Sequence, residues 1–213
     1  MEQKPTFAQK YPALKDILSF LTFVAAVAVG TFILNSFIFR SYSVVGGSME
    51  NTLHSGDRVI VNRLPVSLAH FAEKEYIPER GQVIVFANGG NTSITNCNAK
   101  SDVKDQYIIK RVIAFPGERV TVEDGLLTVY NDEHPDGFNP DEQTRKSSTD
   151  GPKSEISGNV NVIVPEGELF VAGDNREGSN SYDSRNGLGT IPFCRIIGPA
   201  IMRIFPFTGI RFF

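Results

Sequence analysis

A chain of 213 residues with 41% hydrophobic content is long enough to bury one ordinary core with room for a subdomain, and too apolar to be disordered throughout. A formal net charge of −3, with no basic run interleaved with aromatics, argues against nucleic acid as a partner. Two cysteines, Cys97 and Cys194, and three scattered histidines, His54, His70 and His134, lack the clustered spacing of a zinc site.

Residues 1–16 form a short basic lead, with Lys4, Lys10 and Lys15 set against Glu2 and Asp16, and Pro5 and Pro12 discouraging a long regular element. Residues 17–39, ILSFLTFVAAVAVGTFILNSFIF, carry no charge and exceed the roughly 20 residues a helix needs to cross a bilayer. They predict a transmembrane signal anchor. A cleaved signal peptide has a shorter apolar run ending in small residues, whereas here Ala26 and Ala28 lie mid-run and Phe37, Ile38 and Phe39 end it. A buried core helix is the other reading of such a run. The lysines before the span, against Arg40 and Arg58 after it, place the N-terminus in the cytoplasm and residues 40–213 outside.

Residues 41–64 read SYSVVGGSMENTLHSGDRVIVNRL. A strand-like start puts Tyr42 and Val44 on one face; Gly46 and Gly47 then let the backbone turn sharply and show its N–H groups, with Ser48 exposed at the turn. That arrangement suits a nucleophile beside an oxyanion hole, and equally an ordinary Gly-Gly-Ser turn. After a second turn at residues 55–57 comes a strand at 59–61. Residues 65–81 are a connection with room for one helical turn, whose segment 68–71 is expected to pack on the body as a loop rather than dip into a membrane surface.

Residues 82–87, QVIVFA, form a β-branched strand, 88–105 a polar, turn-rich stretch, and 106–122 two strands around Pro116 and Gly117. Residues 123–160 are dense in Gly, Pro, Asp, Asn and Ser, and predict an inserted β subdomain or surface loop. Strands at 160–164 and 168–172 lead to GDNREGSNSYDSRNGLGTIP. A further strand and an apolar tail follow, in which Phe205, Phe207, Phe212 and Phe213 close the core or touch lipid. Short strands between turns, with no long helical period outside the anchor, predict a mainly β, antiparallel fold.

In YIIKRVI, period-2 alternation sets Lys110 between Ile108 and Val112 on one face. Desolvation there would lower the lysine pKa from about 10.4 toward 8, at a cost of about 3 kcal/mol, and yield a neutral amine able to act as general base. The same pattern fits a lysine that snorkels to the sheet edge. Arg111, on the opposite face, reads as a structural ion-pair partner. In the loop from Gly173, Asp174, Arg176, Asp183 and Arg185 can form bidentate pairs, and Ser179, Ser181 and Ser184 add hydroxyls. A calcium-type oxygen cluster is opposed by the interleaved arginines.

The order of anchor, GGSMENTL, GDRVIVN, YIIKRVIAFPGERV and GDNR…DSR resembles bacterial type I signal peptidase, a family of membrane-bound Ser-Lys endopeptidases that remove signal peptides from exported preproteins. The matched motifs cover residues 17–62, 106–122 and 170–200. The resemblance implies a β-sheet catalytic core outside the cytoplasmic membrane, with Ser48 as nucleophile and Lys110 as general base. No histidine, metal or cofactor takes part, so His54 is a bystander. Relatives in the endoplasmic reticulum carry histidine where Lys110 stands, which puts this chain on the bacterial or organellar branch. Implied partners are preproteins cut after small-x-small motifs, the phospholipid membrane and the secretion translocon.

The substrate would add as a strand beside residues 42–45 and 82–86. Tyr42, Val44, Met49, Leu53, Ile108 and Ile109 would line its pockets, with plain core packing the alternative for each. Gly46, Gly47, Arg111, Asp174, Asp183 and Arg185 would support the site. Two departures stand out: Asn51 occupies a usual proline position, and Gly46 follows the branch lacking a serine there. The Gly173 loop is also two residues longer than the family pattern, so the hydroxyl that orients Lys110 is Ser181 counted back from Asp183, or Ser179 counted on from Gly173. Ser181 is preferred, with the extra residues bulged around Gly178. An exported domain also permits Cys97 and Cys194 to form a disulfide, against two free thiols. Three rival readings share features: a dedicated pilin or conjugation-protein maturation protease, a membrane-tethered peptide-binding β module, and a self-cleaving repressor protease, the last disfavoured by the anchor and the missing DNA-binding helices.

Overall fold

The computed structural model describes residues 11–88, 107–144, 152 and 156–213. Helix α1 (Pro12–Ile33) has proline in its first turn, where no intrahelical donor is lost, and continues as a π-helical turn, Leu34–Ile38. The apolar span Ala13–Ile38 has 26 residues and a mean hydropathy of 2.5, with none of its apolar window buried. At 1.5 Å per residue it is about 39 Å long, enough to cross a membrane. The helix ends one residue short of the expected boundary because Phe39 already pairs with Asn62.

The strands are β1 (Phe39–Ser43), β2 (Arg58–Asn62), β3 (Val83–Ala87), β4 (Tyr107–Ala114), β5 (Arg119–Glu123), β6 (Leu126–Tyr130), β7 (Val160–Ile163), β8 (Glu168–Ala172), β9 (Ile191–Pro192), β10 (Ile196–Phe205) and β11 (Arg211–Phe212). The fold is mainly β and antiparallel. One sheet of eight strands runs β1-β2-β10-β3-β4-β8-β9, with β11 on β10. Register shifts let β10 pair with β2 along one half and β3 along the other, which curls the sheet. At Gly198, φ is +155° and a Cβ would strike the Asn62 main chain, so this crossing requires glycine.

A second sheet, β6-β5-β7, holds the region expected as an insert. Its flanking strands β5 and β7 pair with each other, so the subdomain extends to residues 119–163. It packs on the main sheet through Val120, Val122, Leu127 and Val129 against Ile113 and Phe170. A separate cluster of Val44, Met49, Leu53, Val59, Val83 and Ala200 lies under the turn that carries Ser48.

Helix α2 (Leu64–Phe71) replaces the loop expected at 68–71. Asn62 Oδ1 accepts from the Leu64 N–H at 3.0 Å, and Pro65 sits in the first turn, two start signals that outweigh the helix's short length. Helix α3 (Pro140–Thr144) is capped likewise by Asn139 Oδ1 on the Asp141 N–H at 2.9 Å. Leu68 and Phe71 are exposed, as are Phe205, Phe207 and Phe212, whereas Phe213 packs on the core. Cys194 is disulfide-bonded; Cys97, the other cysteine of the sequence, lies outside the described residues.

Candidate active site

Met49 and Leu53, 1% and 0% exposed, fasten the turn after Ser48 to the core, and the Leu53 N–H closes it on the Met49 carbonyl at 2.8 Å. Ser48 is thereby presented above the cluster. On β4, Lys110 faces the same way, only 3% exposed. Its Nζ lies 2.7 Å from Ser48 Oγ and also donates to the Ile109 carbonyl at 2.9 Å. Burial pushes the Lys110 ammonium down to about 8, against the opposing pull of Asp183 and Asp174. A large fraction of Lys110 is then neutral near pH 8, and the Ser48 hydroxyl can donate to its lone pair.

The loop after β8 braces both residues. Asp174 accepts from Arg111 Nε at 2.8 Å and Nη2 at 2.5 Å, and from the Thr52 hydroxyl, joining the Ser48 turn, the strand of Lys110 and the loop. Asn175 donates from its backbone N–H to the Ser48 carbonyl at 3.0 Å and from Nδ2 to the Gly47 carbonyl at 3.1 Å. The Gly46 N–H is engaged by Ser55 Oγ at 3.3 Å. The Ser48 N–H donates to no group among the described residues, which leaves it available for an oxyanion.

The four charged loop residues do not all pair with one another. Asp183 does hold Arg185, at 2.7 Å, and accepts from the Gly173 N–H at 2.8 Å. Asp174 instead reaches Arg111, and the fully buried Arg176 makes two bonds, at 2.7 and 2.8 Å, to Asp141 in the subdomain. Ser181 is fully buried, with an Oγ that has no hydrogen-bond partner among the described residues, so the expected bond to Lys110 is not formed here, whereas Ser179 is exposed. A Cβ at Gly173 would strike Ser181 Oγ and the Ser48 carbonyl, which puts Ser181 against the turn that carries Ser48. Gly178, at φ +53°, turns the chain just before it.

A groove of about 520 Å³ runs up to Ser48 and Lys110. One wall is residues 42–45 and the other residues 107–109, so Tyr42, Val44, Gly46, Gly47, Ile108 and Ile109 meet there. Met49 and Leu53 are not among its lining residues and pack instead against Val44 and Val59 of the wall. The expected docking edge at 82–86 is corrected by the topology: β3 is paired on both sides, with β4 and β10, and has no free edge. Among the described residues, the open edge belongs to the first half of β4, because β8 pairs with β4 only from Arg111 onward. Tyr107, Asn180 and Tyr182 also line the groove and were not foreseen. For Tyr107 a signal existed, since it shares the strand alternation with Ile109. Asn175, Thr52 and Asp141 act through contacts distant in sequence, which no local pattern displays.

A family model described as signal peptidase, peptidase S26, matches residues 14–205. Signal peptidase I T of Bacillus subtilis is 32% identical, covering 99% of this chain and 97% of its own length. Signal peptidase IB of Staphylococcus aureus is 30% identical, covering 93% and 94%. A solved structure of a signal peptidase I from Enterococcus faecalis is 26% identical with a TM-score of 0.36, covering 58% of this chain and 96% of its own. The chain belongs to the signal peptidase family, peptidase S26, and is a peptidase of that family.

Proposed function

We propose that this protein is a membrane-anchored serine endopeptidase that removes N-terminal signal peptides from exported preproteins after small-x-small motifs, through a Ser48–Lys110 dyad. The observation that carries this is the 2.7 Å approach of a buried, pKa-lowered Lys110 to Ser48 Oγ at the end of an open-edged groove. The segment before the cut lies extended between residues 42–45 and 107–109 as an added strand. Apolar walls admit small side chains.

Ser48 Oγ attacks the scissile carbonyl while Lys110 takes its proton. The oxyanion rests on the Ser48 N–H, a contact worth about 3 kcal/mol. Lys110 returns the proton to the leaving amine, and Ser48 holds the signal peptide as an ester. Water then attacks, its proton passing to Lys110, and the ester breaks as Lys110 returns that proton to Ser48 Oγ and the signal peptide leaves as a carboxylate. Ser181, buried beside the turn with an Oγ that makes no hydrogen bond among the described residues, is the hydroxyl assigned to steady the amine once substrate is bound. Helix α1 is the anchor, with the N-terminus cytoplasmic and residues 40–213 outside, and the exposed Leu68 and Phe71 of α2 rest on the bilayer. The test is incubation of the detergent-solubilised protein with a model preprotein, beside Ser48→Ala. Cleavage at one small-x-small site by the wild type alone is expected; cleavage by Ser48→Ala would contradict the reading.

A further inference from the structure

Where α1 meets the sheet, there is no linker. The π-helical turn ends at Ile38 and β1 begins at Phe39. Three successive carbonyls at that helix end, which have no intrahelical partner, accept from one neighbouring segment. Ser36 O accepts from Arg63 Nη1 at 2.5 Å, Phe37 O from Ser67 Oγ at 3.1 Å, and Ile38 O from the Arg63 N–H at 2.7 Å. A cation at a helix C-terminus is favoured by the dipole. The Phe37 and Phe71 rings meet beside them at 6.4 Å, and Phe39 pairs with Asn62, next to Arg63.

We propose that Arg63 and Ser67 lock the anchor helix onto the catalytic body, so that the height of the groove above the bilayer is a fixed length that selects precursors by the distance between their apolar segment and the cut. The inference rests on α1 being an anchor and the groove being the peptidase site. Ser48 lies ten residues beyond Ile38, within about 35 Å of chain, and the first five of those residues are held in β1. A free hinge at residue 38 would let the groove sample many heights; a helix end held at three carbonyls does not. A precursor whose apolar helix shares the same bilayer then reaches Ser48 only with the right spacer. Arg63 and Ser67 are positioning residues, since neither lines the groove.

The experiment reconstitutes the full chain in phosphatidylglycerol-containing vesicles and presents precursors in which the spacer between apolar segment and cleavage site is varied residue by residue. The wild type is expected to peak at one spacing and fall about tenfold on either side. Arg63→Ala with Ser67→Ala should flatten that profile while cleaving a short soluble peptide in detergent as the wild type does. Arg63→Lys with Ser67→Thr should keep the peak. A flat wild-type profile, or a double-alanine profile identical to the wild type's, would overturn the inference. A chain washed from the vesicles by carbonate would instead overturn the anchor, and a wild type inert on the short peptide would overturn the peptidase reading.

Discussion

At the scale of single residues the proposed mechanism requires an amine kept neutral by burial. The Lys110 pKa is lowered from 10.5 to about 8, so the folded state penalises the charged form. Between those two values the unfolded chain binds more protons, and stability rises with pH across that window. The penalty is fully present below pH 8 and amounts to about 3 kcal/mol. Lys110→Met, similar in size and uncharged, should therefore be more stable than the wild type at neutral pH. Denaturant titrations at pH 7 and above pH 10.5 should show that gap closing; a gap independent of pH would mean the ammonium is not desolvated. The cleavage rate should rise with pH toward a plateau above about 8 and survive chelators. Ser181→Ala should cost on the order of 100-fold in rate through a misplaced base. It should not lower stability, because the hydroxyl it removes is buried without a partner. Ser179→Ala, on the surface, should be near neutral in both assays, and the reverse ranking would assign the orienting role to Ser179.

Among elements, the loop after β8 is the part that makes separate segments into one site. Asp174 is fully buried and serves Arg111 and Thr52 together. Asp174→Ala leaves the Arg111 guanidinium buried without its main partner and should destabilise the protein by about 3–5 kcal/mol, measured by denaturant unfolding. A loss below 1 kcal/mol would show that the network is not a brace. Much of this was legible beforehand, but unevenly. The alternation around Lys110 and the glycine turn before Ser48 are local patterns, and local patterns survive folding. The pairing of Arg176 with Asp141, 35 residues away, is set by how the subdomain docks and has no local trace. At 65–81 only one helical turn was expected and 68–71 was read as loop, because eight residues are too few to show a helical period; the Asn62 side chain poised to take the Leu64 N–H was the available clue.

Over the whole molecule, a curled antiparallel sheet carries the groove close to the end of an apolar helix, and an added sheet braces the far side. The long apolar helix was visible as an uncharged run and the β class as short strands between turns. The strand order was not, since β10 reaches back between β2 and β3 from the end of the chain. That return strand is why residues 82–86 have no free edge. On the proposed orientation, protease added to intact spheroplasts should digest the domain beyond residue 40, and full protection would contradict that orientation. The proposed dyad requires Ser48 and Lys110 to act as one unit, and the direct measurement is the single-turnover rate of precursor cleavage by Ser48→Ala, Lys110→Ala and the double variant. Each single substitution is expected to lower the rate by about 10⁴-fold or more, with the double no lower than either. Losses that multiply in the double variant, or a Lys110→Ala enzyme that cleaves at the wild-type rate, would contradict the dyad.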